Sequence, residues 1–179
     1  MLINTDYFTD GILRIEGVSK KKEAVNMSEA QKAAETGYAL SGFIDTYVPE
    51  YIEYMLGEKV GSEFMDYLAS EPPVITPEWE VIREWFIGKK EFSGVSPAAC
   101  YVFFMYVRQN QARATTSVGV VFIRNDNPVV EPAVPLISVW NKMVKINLKF
   151  AQWMEARASV YPGWNIENGV LETMNQFGI

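Results

Sequence analysis

The sequence predicts a mainly α fold: a helical bundle with a long extended loop or β-hairpin-like insertion between the last two long helices. Three stretches carry that prediction. Val139, Met143, Ile146, Phe150 and Trp153 are spaced four, three, four and three residues apart, the period of one buried helical face. Ser96-Pro97 reads as an N-cap plus first turn, and the residues after it, Ala98 to Val107, are apolar almost all round. A helix of that kind belongs at the centre of a bundle. Between these two, Thr115 to Ile123 is rich in β-branched residues, which suits an extended strand.

Taken in order, residues 1–27 read as an N-terminal arm or irregular entry segment, because apolar alternation is poor and Gly11 and Gly17 interrupt it. The run Lys20-Lys21-Lys22 fits a solvated loop, or a local contact to an acidic partner or a phosphate. Ser28-Glu29-Ala30-Gln31 fits a capping box and opens the main helical domain, residues 28–160. The first helical pattern runs through Leu40, Phe43, Ile44 and Tyr47 to Pro49, where the helix either ends near Val48 or restarts with proline in its first turn. Tyr51, Ile52, Met55 and Leu56 continue it, and Gly57 is a natural stop. A short helix then carries Phe64, Met65 and Leu68 toward Pro72-Pro73. Thr76-Pro77 opens the next, with Trp79, Ile82, Trp85 and Phe86 as its buried stripe and Gly88 as its end. The apolar helix extends to about Gln111.

Residues 112–135 read as the extended insertion, with Asn125-Asp126-Asn127-Pro128 as its turn. Prolines at 128, 132 and 135 keep its return limb out of any central sheet position. The last long helix spans about Leu136 to Ala158, and residues 161–179 read as a C-terminal tail, in which Trp164 to Ile179 either hold one more turn or trail.

The chemistry open to this chain is narrow. It has 179 residues, 20.3 kDa and 49% hydrophobic residues, which suits one domain with a real core. There is no histidine, so a Ser-His-Asp triad, a Cys-His pair and an HExxH zinc helix are excluded. The lone Cys100 sits in an apolar run, where a thiolate lacks stabilisation. No phosphate-cradling glycine motif is present. Asp126 suits an Asx turn better than a calcium loop, which needs more oxygen ligands at set spacing. Glu78, Glu80 and Glu84 open a helix, where the exposed amides favour acids without any catalytic role. No catalytic, metal or cofactor-binding residue is therefore assigned. Sixteen bases against 22 acids leave a net charge of −6, which argues against wrapping nucleic acid as the main task. Lys142, Lys145 and Lys149 nevertheless form a stripe on the last helix, either a solvated face or one turned to an acidic subunit or to passing DNA. The start, MLINTDYFTD, lacks the apolar segment of a secretory signal. The longest apolar stretch, Val95 to Val107, is too short to span a bilayer, so no membrane role is expected.

Phe43-Ile44-Asp45-Thr46-Tyr47-Val48-Pro49-Glu50-Tyr51-Ile52 with Leu56-Gly57, the apolar helix Ala98 to Arg108, Thr115-Thr116-Ser117-Val118-Gly119-Val120-Val121 and Trp140-Asn141-Lys142-Met143-Val144 follow one another in this order. In that order the chain resembles the head–tail connector (adaptor or neck-ring) proteins of tailed bacteriophages, in particular those of phages and prophages of Bacteroidetes hosts. The likeness covers most of residues 40–150 and consists of packing and loop patterns rather than catalytic signatures. It implies a non-enzymatic structural subunit of the virion neck, made in the bacterial host cytoplasm. Such a subunit assembles with copies of itself into a ring of about twelve, between the portal and the tail, with transient contact to phage DNA. It also implies that the insertion reaches neighbouring subunits through Thr115, Thr116, Val118, Val120, Phe122, Val129 and Val130, whose apolar members are costly in water unless a partner covers them. Two other readings stay open on the residues alone: a small cytoplasmic ligand-binding domain or carboxylate-based enzyme, and an acidic module that docks one partner helix.

Overall fold

The computed structural model describes residues 1–15, 17–18, 27–70, 76–117, 133–165 and 171–174. Four helices make up the frame: α1 (Met27–Ala69), α2 (Pro77–Ile87), α3 (Pro97–Ser117) and α4 (Ala133–Glu155), and no strand forms among the described residues. The mainly helical class therefore holds. The extended part of the insertion, residues 118–132, lies outside the described residues, as do Lys20-Lys21-Lys22, Pro72-Pro73 and the turn around Asp126.

The centre of the bundle is α3. Every residue from Ala98 to Phe104 is buried, which is why this segment is apolar on all sides. It packs against α1 on one flank and α4 on the other, with α2 and the N-terminal turns also against it. Ser96 starts it as expected: its Oγ accepts the Ala99 amide at 3.0 Å and donates to the Phe86 carbonyl at 2.7 Å, tying the end of α2 to the start of α3.

α1 is bent by Gly57, which adopts φ 76° and ψ 166° and divides it into limbs of 27–56 and 58–69. Proline 49 does not end the first limb. The helix runs through it, although proline has no amide to give the preceding turn. Leu40, Ile44 and Val48 before it and Tyr51, Ile52 and Met55 after it lie in one core, so burial on both sides outweighs the local penalty. α1 also begins at Met27, one residue ahead of Ser28, within the usual fraying of helix ends.

Three further expectations are corrected. The first 18 residues are no free arm: they make two 3₁₀ turns, Thr5–Phe8 and Gly11–Leu13, and bury Leu2, Ile3, Phe8, Leu13, Ile15 and Val18 in the core. The Ile15 amide closes back onto the Phe8 carbonyl at 2.9 Å. Nor do the described C-terminal residues trail. Tyr161 donates to the Glu78 carbonyl at 2.8 Å, and Trp164 Nε1 donates to the Met55 carbonyl at 3.0 Å. That carbonyl lies next to the break at Gly57, where a helical acceptor loses its regular partner. Asn141 exchanges two hydrogen bonds with the Met174 backbone, at 2.7 and 2.8 Å, and Trp140 Nε1 donates to the Glu172 carbonyl at 2.8 Å. Finally, α3 continues to Ser117 rather than to about Gln111, so Thr115 and Thr116 lie on helical backbone, and α4 opens at Ala133. β-Branched residues lower helix propensity only slightly, and an established helix adds one hydrogen bond for each residue it gains.

Candidate functional site

A polar seam crosses the apolar centre where α1, α3 and α4 meet. Tyr51 is fully buried, and its hydroxyl donates to Asn147 Oδ1 at 2.7 Å. Tyr101 donates to Glu50 Oε1 at 2.5 Å, and Gln109 Nε2 donates to the Tyr47 hydroxyl. Cys100 lies beside this seam, wholly buried.

The phenols of Tyr51 and Tyr101 and the thiol of Cys100 are held in their neutral forms. Burial pushes the Tyr51 phenol well above its ordinary value, with Cys100 adding to the effect. Burial and then the hydrogen bond to Glu50 raise Tyr101. Burial lifts the Cys100 thiol to about 12, against a smaller opposing pull from Lys142. A thiol so placed is no nucleophile at neutral pH, and a phenol so placed is no base. The seam joins three helices.

That state has a consequence for stability. Folding raises these values above the unfolded 10.0 of the phenols and 9.0 of the thiol. The folded chain thus holds the protons more tightly, and the stabilisation is complete below the unfolded values and lost as pH rises through the folded ones. The thermal midpoint is expected to show no loss from these groups up to about pH 8 and to fall between roughly pH 9 and 12, the thiol contributing first. Differential scanning calorimetry across that range checks it; a midpoint that climbs with alkali would contradict it.

A cavity of about 280 Å³ opens between the two limbs of α1 and the N-terminal residues, lined by Leu2, Ile44, Val48, Pro49, Met65 and Leu68 among others. Asp45 is the one carboxylate among the described residues that line it. The converging acids that a carboxylate-based enzyme needs are not brought together there. Among the described residues, no group of three or more His, Cys, Asp or Glu is placed to hold a metal ion, and no helix is long and apolar enough to cross a membrane.

Of the residues singled out by sequence, Lys142, Lys145 and Lys149 are all exposed along α4, and none forms an ion pair with a described residue. Leu148 stands among them, 45% exposed. Thr115 and Thr116 fall in the last turn of α3. Val118, Val120, Phe122, Val129 and Val130 lie outside the described residues. Sequence reasoning passed over a second surface. Asp45, Glu50, Glu53, Glu58, Glu63 and Asp66 are exposed along α1, with Tyr54 at 46% exposure between them. Its signal was present: Lys59 is the one base between Asp45 and Asp66.

No family model matches this chain, and neither the curated proteins nor the solved structures give a match.

Proposed function

We propose that this chain is a structural subunit that assembles with copies of itself into a ring at the neck of a tailed phage, joining portal and head to tail around the DNA conduit. The observation that carries the reading is the exposed lysine face of α4, which makes no ion pair with a described residue, on a chain whose net charge is −6 and whose core is closed around α3. A cationic face on an acidic subunit is suited to an acidic neighbour, while the overall negative charge lets duplex DNA pass without adhering. The connector-like order of residues 40–150 supports the same reading, as does the apolar composition of Val118, Val120, Phe122, Val129 and Val130. Nothing in the seam or the cavity draws the reading toward catalysis.

Multi-angle light scattering of the full chain across a wide concentration range tests it. A discrete species of about twelve times the 20.3 kDa chain mass is expected. Replacing residues 118–132 with a short glycine-serine linker is expected to keep the helical circular dichroism and abolish that species. A chain that stays at 20.3 kDa throughout overturns self-assembly.

A further inference from the structure

We infer that the lysine face of α4 receives the acidic outer face of α1 from a second copy of this chain, in a head-to-tail contact. This rests on the reading above of the chain as a self-assembling subunit, and it names the surfaces through which assembly occurs.

The two faces are matched in sign. Lys142, Lys145 and Lys149 follow one another three and four residues apart, one stripe on a straight helix. They run about 10 Å along the axis. On α1, Glu53 is exposed before the Gly57 bend, beside Glu50, whose Oε1 is held by Tyr101, and Glu58, Glu63 and Asp66 are exposed on the limb beyond it. Each face carries one exposed apolar body among its charges, Leu148 on α4 and Tyr54 on α1. A leucine meeting a tyrosine supplies the dehydrated contact, and the charges around it supply register and partner choice.

The faces do not meet within one chain. α3 packs against both helices, and each face points away from the buried stripe of its own helix. Among the described residues nothing joins the two faces, and their exposed side chains are open to a neighbour. A two-fold dimer centred on either face sets lysine against lysine or glutamate against glutamate, which is repulsive. Only a contact between unlike faces satisfies both, and repetition of such a contact closes a ring or runs on as a filament. Duplex DNA is the rival occupant of the lysines. It has no use for the exposed Leu148, and it approaches against a net charge of −6.

Charge reversal on the full-length chain decides the matter, read by light scattering at about 0.1 M salt, where charges interact over roughly 10 Å. Lys145→Glu/Lys149→Glu and Glu53→Lys/Glu58→Lys are each expected to raise the assembly's dissociation constant at least ~10-fold, since like charges then face each other. The chain carrying all four reversals is expected to recover assembly, which a merely misfolded variant cannot do. Circular dichroism of each variant confirms that the helices are retained. Reversals that leave the mass unchanged while the wild-type chain assembles overturn the contact and leave self-assembly standing. A four-fold variant that stays dissociated when both pairs alone dissociate overturns direct pairing of these faces. Loss of duplex retention in Lys145→Glu/Lys149→Glu at unchanged mass overturns it in favour of DNA. A wild-type chain that never assembles overturns this contact together with the proposed ring.

Discussion

Replacing Gly88 with alanine is expected to cost about 3 kcal/mol or more, and to lower the thermal midpoint by about 10 °C for a chain of this size. Gly88 ends α2 in the left-handed region, with φ 72° and ψ 43°. A side chain there costs about 1–2 kcal/mol on backbone grounds alone. The larger part is steric. A Cβ on Gly88 would fall 2.1 Å from the carbonyl carbon of Val95, 2.2 Å from its oxygen and 2.3 Å from the Ser96 nitrogen. These are backbone atoms and cannot swing aside as a side-chain end can. They are also fixed from behind, because Ser96 holds the Phe86 carbonyl and caps α3. Relief of the clash must therefore pull α3 away from α2. The internal control is Gly42→Ala on the exposed side of α1, where an added Cβ meets nothing within 4 Å. In that helical position alanine is expected to stabilise by up to about 1 kcal/mol. The same substitution thus has opposite signs at two glycines of one protein, and thermal unfolding by circular dichroism reads both.

Gly88 also shows what kind of information the sequence holds in plain view. It follows a stripe of helical period and precedes a polar loop, so both its place and its conformation follow from local rules. The same is true of Ser96 and of the face of α4 from Val139 to Trp153, while at Gly57 the place of the break is local but its φ 76° and ψ 166° are not those of a left-handed cap. The segments that lie between such signals were misjudged for a common reason. Leu2, Phe8, Leu13 and Ile15 have no period, and their burial depends on the surface they land on, which is built by residues far along the chain. Trp164 and Trp140 likewise find their acceptors at Met55 and Glu172, pairings with no local trace. Pro49 and Thr115 are the converse case: the local rule was read correctly and then outweighed, by core burial on both sides of the proline and by extension of an existing helix at the threonine. Of the candidate surfaces, the lysine stripe is legible because three bases recur at helical spacing on an otherwise apolar helix. The acidic face of α1 is not, because the Gly57 bend resets the phase of the helix halfway along it, and acids on an outer face are common enough to draw no notice.

Phe150→Ala is expected to remove about 3–5 kcal/mol, a large share of the 5–15 kcal/mol that holds a typical domain together. Phe150 is 1% exposed and is the ring through which α4 meets α2. Its centroid lies 5.0 Å from Phe86, 5.7 Å from Trp85 and 5.9 Å from Trp153. The cluster extends through Phe86 to Tyr51 on the first limb of α1 and to Phe64 on the second, at 5.4 and 5.7 Å. Large rings held on several sides by other rings cannot slump into the space a missing ring leaves, so the cavity persists and its cost adds to the lost transfer energy. Phe150→Leu, which keeps most of the volume, is expected to cost under about 2 kcal/mol. Urea denaturation of both variants gives the comparison. The alanine chain should also unfold in a single transition, because the cluster couples α1, α2 and α4 and no helix can leave it alone. A two-step curve would show that α4, with its lysine face, detaches from the rest as a separate unit.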